Sequence, residues 1–151
     1  DNSFDGVSIP ALKTASGRAI LSTFTPDELS AWWEEHGEFR EQPETLRRRR
    51  PPETSIITTL RQKPGSIRSL SKLQRIARAT TKAGFAISDG ELTPNIVDAA
   101  APLRNSQGLV VGAIAVGARS TRIKDGFQSL GALVKESAET LSWELGWHGQ
   151  S

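Results

Sequence analysis

The chain has no cysteine, no methionine, two histidines, and no apolar run of membrane-spanning length. Each absence removes a class of chemistry. Without cysteine there is no disulfide, no thiolate nucleophile and no cysteine-ligated zinc or iron–sulfur centre. His36 ends an amphipathic segment and His148 lies in the C-terminal tail, so neither stands where a general base needs a cleft and an orienting partner. No pair of His, Asp or Glu residues shows ligand spacing with a third partner, so neither a metal nor a cofactor is expected. The glycines form no Walker loop and no dinucleotide fingerprint, and Ser16 lacks the Gly-x-Ser-x-Gly elbow of hydrolases. An enzyme is not expected. The longest apolar stretch, Leu109 to Ala118, is strand-sized against the roughly 18 residues of a membrane span. Asp1, Asn2 and Asp5 are the wrong chemistry for a signal peptide, so the expected location is the cytoplasm, with no membrane partner. Methionine is missing even at position 1, which suggests a piece of a longer protein.

What is present suits one globular domain over residues 1–151. Nineteen basic and seventeen acidic residues leave a net charge of +2, too small to imply a nucleic-acid-binding face by itself. Their layout is uneven. Arg47 to Arg50, Arg61, Lys63, Arg68 and Lys72 crowd one stretch, and acids gather between Asp27 and Glu44.

Along the chain, Val7, Ile9 and Leu12 alternate as a short edge strand interrupted by Pro10. Thr14 or Ser16 caps a helix through Leu21, with Ile20, Leu21 and Phe24 on its buried side. Thr25-Pro26-Asp27-Glu28 combines an N-cap, a proline at the first helical position and a capping box. Leu29, Trp32, Trp33 and His36 follow at helical spacing, and Gly37 is the stop. Residues 38–69 read mostly as loop, with a short strand at Ser55 to Leu60. A helix capped by Ser71 presents Leu70, Leu73, Ile76, Ala77 and Thr80, and ends at Gly84. Phe85 to Ser88 is a strand, and Asp89-Gly90 turn chemistry. Ile96 to Arg104 and Leu109 to Ala118 form an antiparallel hairpin about Asn105 to Gly108. The second of these is apolar or small on both faces, as in a central strand covered on both sides. A long helix runs from about Lys124 to Leu145, with Phe127, Leu130, Val134, Ala138, Leu141 and Leu145 against the sheet.

Three features point to binding. Thr14 to Gly17 place amides at a helix start, which attracts anions. Ser88 to Glu91 leave a buried strand as a polar loop. Asp98 interrupts an apolar strand and, facing inward, needs a partner or a raised pKa. Against these stand ordinary readings: a capped helix, a simple turn, and an outward carboxylate paired with a surface arginine.

The ordered set of segments resembles the effector-binding domain of the IclR family of bacterial transcription regulators. Leu12 to Leu21 is similar to its signature helix start, and Thr25 to Leu29 to the helix that follows. Gly84-Phe85-Ala86-Ile87-Ser88-Asp89-Gly90-Glu91 resembles its strand and turn, and Ala100 to Leu103 with Gly108 to Val116 its last hairpin. The resemblance implies an α+β, GAF-like fold: a curved antiparallel sheet flanked by helices. It implies a sensor that binds a small effector and alters the grip of a homodimer or tetramer on operator DNA. An organic or aromatic acid is the expected effector, and a neutral or cationic one is compatible with Asp98. The pocket would fall on Ala15, Ser16, Gly17, Ser88, Asp89, Glu91, Ile96, Asp98, Ala115 and Gly117. The family's winged helix-turn-helix DNA-binding domain and the first part of its sensing domain are expected to lie outside this sequence. The competing readings are a nucleic-acid contact through Arg47 to Lys72 and, less favoured, a hydrolase using Ser16 or Asp98.

Overall fold

A computed structural model describes residues 11–36, 56–63, 66–124 and 127–149. The expected strand residues Val7 and Ile9, the stop at Gly37 and the four-arginine run lie outside them; Leu12 belongs to a 3-10 turn, Ala11–Lys13, not to a strand. Helix α1 is Ala15–Leu21, capped by Thr14, whose hydroxyl accepts from the Gly17 amide at 3.0 Å. Helix α2 is Pro26–His36. Its capping box is formed in both directions, between the Glu28 amide and the Thr25 hydroxyl and between the Thr25 amide and the Glu28 carboxylate.

The expected strand at 55–60 is instead a short helix, α3, Ile56–Leu60. Ile57 and the buried Leu60 pack into the main core from one side of that turn, a tertiary gain that outweighs the β-branched composition. Helix α4, Leu70–Ala83, is capped by Ser69 rather than Ser71, because the Ser69 hydroxyl accepts from the Lys72 amide at 3.2 Å. Leu73, Ile76, Ala77 and Thr80 are its buried residues, and Gly84 ends it in the left-handed conformation that favours glycine.

Three antiparallel strands follow: β1, Ala86–Asp89; β2, Ile96–Arg104; and β3, Val110–Arg119. Their order is β1-β2-β3. The central strand is therefore β2, where Val97, Ala99, Ala100 and Ala101 are buried; β3 borders the described sheet, with Val111, Ala115 and Gly117 exposed. The expectation that β3 is covered on both faces fails because small residues permit close packing without supplying a partner. Helix α5, Gln128–Glu144, starts later than expected, after a 3-10 turn at Ser120–Arg122 and a left-handed Phe127. Phe127, Leu130, Val134 and Ala138 are buried as the spacing demands, whereas Leu141 and Leu145 are exposed.

Strand alternation divides the sheet into two faces. Ile87, Val97, Ala99, Ala101, Ile114 and Val116 join α5 in the main core. The opposite face packs Ala86 and Ala100 against Ala15 and Ala19 of α1. A third cluster joins Leu21, Leu29 and Trp33 to Leu73 and Ile76, fixing α1 and α2 against α4. No described helix is long and apolar enough to cross a membrane.

Candidate functional site

Register places most of the singled-out residues on one surface. Ser88 pairs with Asp98, and Asp98 with Gly117. Ala86 pairs with Ala100, and Ala100 with Ala115. Ile96 pairs with Arg119. Directly opposed residues in an antiparallel sheet share a face, so Ser88, Ile96, Asp98, Ala115 and Gly117 all lie on the face that α1 covers. The roof is close: Ala15 and Ala19 are fully buried against Ala86 and Ala100. Gly17 is required by a second close approach, since a Cβ there would lie 2.3 Å from the Ala11 carbonyl oxygen.

Arg18 holds that roof in place. It is 2% exposed. Its Nε donates to the Leu12 carbonyl at 2.9 Å and one terminal nitrogen to the Ile87 carbonyl at 2.8 Å. The other terminal nitrogen lies 2.6 Å from each oxygen of the equally buried Glu91 carboxylate. Ser88 adds a tie, its hydroxyl donating to the Lys13 carbonyl at 2.8 Å. Ser88 and Glu91 thus anchor the first turns of the chain to β1. Burial pushes the Glu91 carboxyl above its ordinary range, against the opposing hydrogen bond and charge of Arg18. Burial also pushes the nearby Lys72 ammonium down, helped by the charges of Arg75 and Arg18 and partly offset by Glu91.

The singled-out residues therefore separate into four groups. Ala15, Gly17, Ser88 and Glu91 are consumed in packing or anchoring. Ser16 is half-buried on the first turn of α1, whose Gly17 amide is already taken by Thr14. Ile96, Asp98, Ala115 and Gly117 form the open part of the face. Asp89 is not brought to this surface: it pairs with Val97 on the α5 face, and its carboxylate meets Arg61, the residue after α3. The Arg61 side chain is half-exposed, so that ion pair contributes little to stability.

Asp98 is the distinctive group of the open part. Burial pushes its carboxyl above the ordinary range. A Cβ at position 117 would lie 2.6 Å from its Oδ1, so the carboxylate occupies the space that the missing side chain of Gly117 leaves. Sequence reasoning missed Arg18. The signal was there, since Arg18 shares the buried side of α1 with Ala15 and Leu21, three residues away on either side. A separate open cleft of about 580 Å³ lies between the α1–α2 turn and α4, where Phe24, Leu29 and Ala77 form an apolar floor beside Arg78 and Lys82. It does not touch the α1 face of the sheet.

Residues 2–143 match the family profile described as Bacterial transcriptional regulator IclR C-terminal. The chain belongs to this family. Among solved structures, an IclR-type fold recurs in the Agobacterium tumefaciens repressor BlcR, at 26% identity and TM-score 0.67 over 92% of this chain and 49% of that one. The C-terminal domain of the E. coli regulator KdgR superposes with TM-score 0.66 at 17% identity, covering 91% of this chain and 72% of that one. The inducer-binding domain of a double mutant of PobR from Acinetobacter, in complex with 3-hydroxybenzoic acid, gives TM-score 0.62 at 19% identity, covering 92% and 66%. The last two likenesses are of fold. This chain spans about half the length of the first three regulators it matches. No curated protein matches it. The family and these neighbours are transcriptional regulators, and the α+β architecture with an antiparallel sheet is the one they share.

Proposed function

We propose that this chain is a single sensing domain of an IclR-family regulator, and that it holds a small metabolite on the α1 face of the sheet. The observation that carries this is the convergence of Ile96, Asp98, Ala115 and Gly117 on one open surface beside a helix pinned by a buried ion pair. A rigid roof over a face lined by small residues offers a ligand shape, and Asp98 offers it a polar contact. The PobR domain carrying 3-hydroxybenzoic acid supports an organic effector of that size. Homodimers or tetramers of the full-length protein would grip operator DNA through a separate domain. An effector that favours one subunit arrangement would shift DNA affinity by its differential binding free energy.

Thermal unfolding against a panel of organic acids, aromatic acids, amines and sugars tests the reading, with the four tryptophans as the signal. A ligand at a hundred times its dissociation constant adds about 2.7 kcal/mol, visible as a rise in Tm. The rise should shrink in Gly117→Ala, whose new methyl displaces the Asp98 carboxylate and otherwise makes only an ordinary contact with Ile96 at 3.8 Å. A hit that Gly117→Ala and Asp98→Asn both leave intact would move the site elsewhere, and no hit across the panel would remove the sensing role.

A further inference from the structure

We infer that this site takes a ligand presenting a hydrogen-bond donor, an ammonium or a hydroxyl, to the Asp98 carboxylate rather than a bare carboxylate group. The inference rests on the sensing reading and deepens it, by asking what the polar groups of the face still have to give.

Ser88, the neighbour of Asp98 on β1, has donated its hydroxyl proton to the Lys13 carbonyl. Gly117, the neighbour on β3, has no side chain, and Asp98 reaches over its backbone. Along the same face of β2 the neighbours are Ile96 and Ala100, which have no polar side-chain atoms. Arg18, the cation on the covering helix, spends its donors on Leu12, Ile87 and Glu91. Arg119 is diagonal to Asp98 through its pairing with Ile96, and it is exposed. No ion pair or hydrogen bond to Asp98 is formed among the described residues.

An ionised carboxylate is an acceptor only. Here it is half-buried, and the surface beside it is Ala100, Ala115 and Gly117. Burial without a donor disfavours the charged form, which is the direction in which its pKa moves. A bare carboxylate brought to this face would meet a like charge. A donor would meet an acceptor that the described residues leave unused, and the small residues of β3 would accommodate the ligand's body.

Two matched series, measured by calorimetry on the wild-type chain near neutral pH, decide the matter: butylamine, 1-butanol and butyrate; then benzylamine, benzyl alcohol and benzoate. Affinity should fall from amine to alcohol to carboxylate in both. Asp98→Asn, which keeps shape and removes charge, should weaken the tighter amine about tenfold or more, since hydrogen bonds to charged groups are worth that much. It should also strengthen the matching carboxylate. Tightest binding by the carboxylate in both series would overturn the inference and leave the sensing role standing, as would an amine affinity indifferent to Asp98→Asn. Failure of all six probes would overturn it too, and the sensing role falls with it only if the wider effector panel is also silent.

Discussion

A guanidinium at 2% exposure persists inside a domain only if its N–H groups find acceptors and its charge finds a partner. Arg18 meets both conditions by drawing on three separate segments: the 3-10 turn at Leu12, strand β1 at Ile87, and the following loop at Glu91. Removing one partner strands a buried charge. Arg18→Ala should therefore cost about 3–5 kcal/mol in urea unfolding. Replacing both partners by apolar side chains of similar size, Arg18→Met with Glu91→Leu, should cost less than either single change, because no charge is orphaned. Simple additivity of the two costs would show that the pair is not coupled. Asp98 gives the opposite sign. Its folded pKa is raised, so its stabilising contribution is present at low pH and is lost as pH rises through the folded pKa. Asp98→Asn should consequently raise Tm at neutral pH, and the advantage should disappear at about pH 4, where carboxyls ordinarily take up protons. A Tm gain that does not depend on pH would assign the effect to packing instead.

At the scale of elements, the position of a cap decides where α4 begins. Ser69 holds the Lys72 amide, while Ser71 only faces the Ser69 hydroxyl at 3.2 Å. Ser69→Ala should cost about 1 kcal/mol and Ser71→Ala much less, as read from denaturant midpoints. Equal costs would mean that the cap is shared. The capping box at Thr25 and the bounds of β2 were legible because their signals are local: an acceptor three residues from a donor, and an apolar run bounded by turn residues. Misread elements depended on partners far along the chain. Ile56, Ile57, Thr58 and Thr59 have strand composition, and the segment is helical where Ile57 and Leu60 pack into the main core beside α4 and β1. Whether β3 is central or at the border depends on what pairs with it, which alternation within the strand cannot report. The site divides the same way. Asp98 and Gly117 share a face because the hairpin register makes them opposite, whereas Asp89, one residue beyond Ser88, turns to the other side.

For the molecule as a whole, the sensing and DNA-contact readings predict different responses to salt. Binding to a phosphate backbone weakens as salt rises, with a slope close to 0.9 per phosphate neutralised. Nineteen basic residues against seventeen acidic ones give this chain little net attraction, and its basic residues are concentrated in one stretch that includes Arg61 and Lys72. Arg61 already faces the Asp89 carboxylate and lies over the Phe127 ring at 4.8 Å, so part of its charge is offset within the fold. Lys72 is partly buried, with burial and neighbouring charges disfavouring its protonated form. Two of the cations that a DNA face would need thus have their charge partly offset or disfavoured within the fold. Fluorescence anisotropy with duplex DNA should therefore show no tight binding at roughly physiological salt, and only a shallow salt dependence at lower salt. Binding that falls with a slope of about 4 or more, and that Arg47→Ala, Arg48→Ala, Arg49→Ala and Arg50→Ala together abolish, would give the arginine run a direct role on DNA. The sensing domain would then also be part of the grip that it regulates, and an effector could act on DNA without first rearranging subunits.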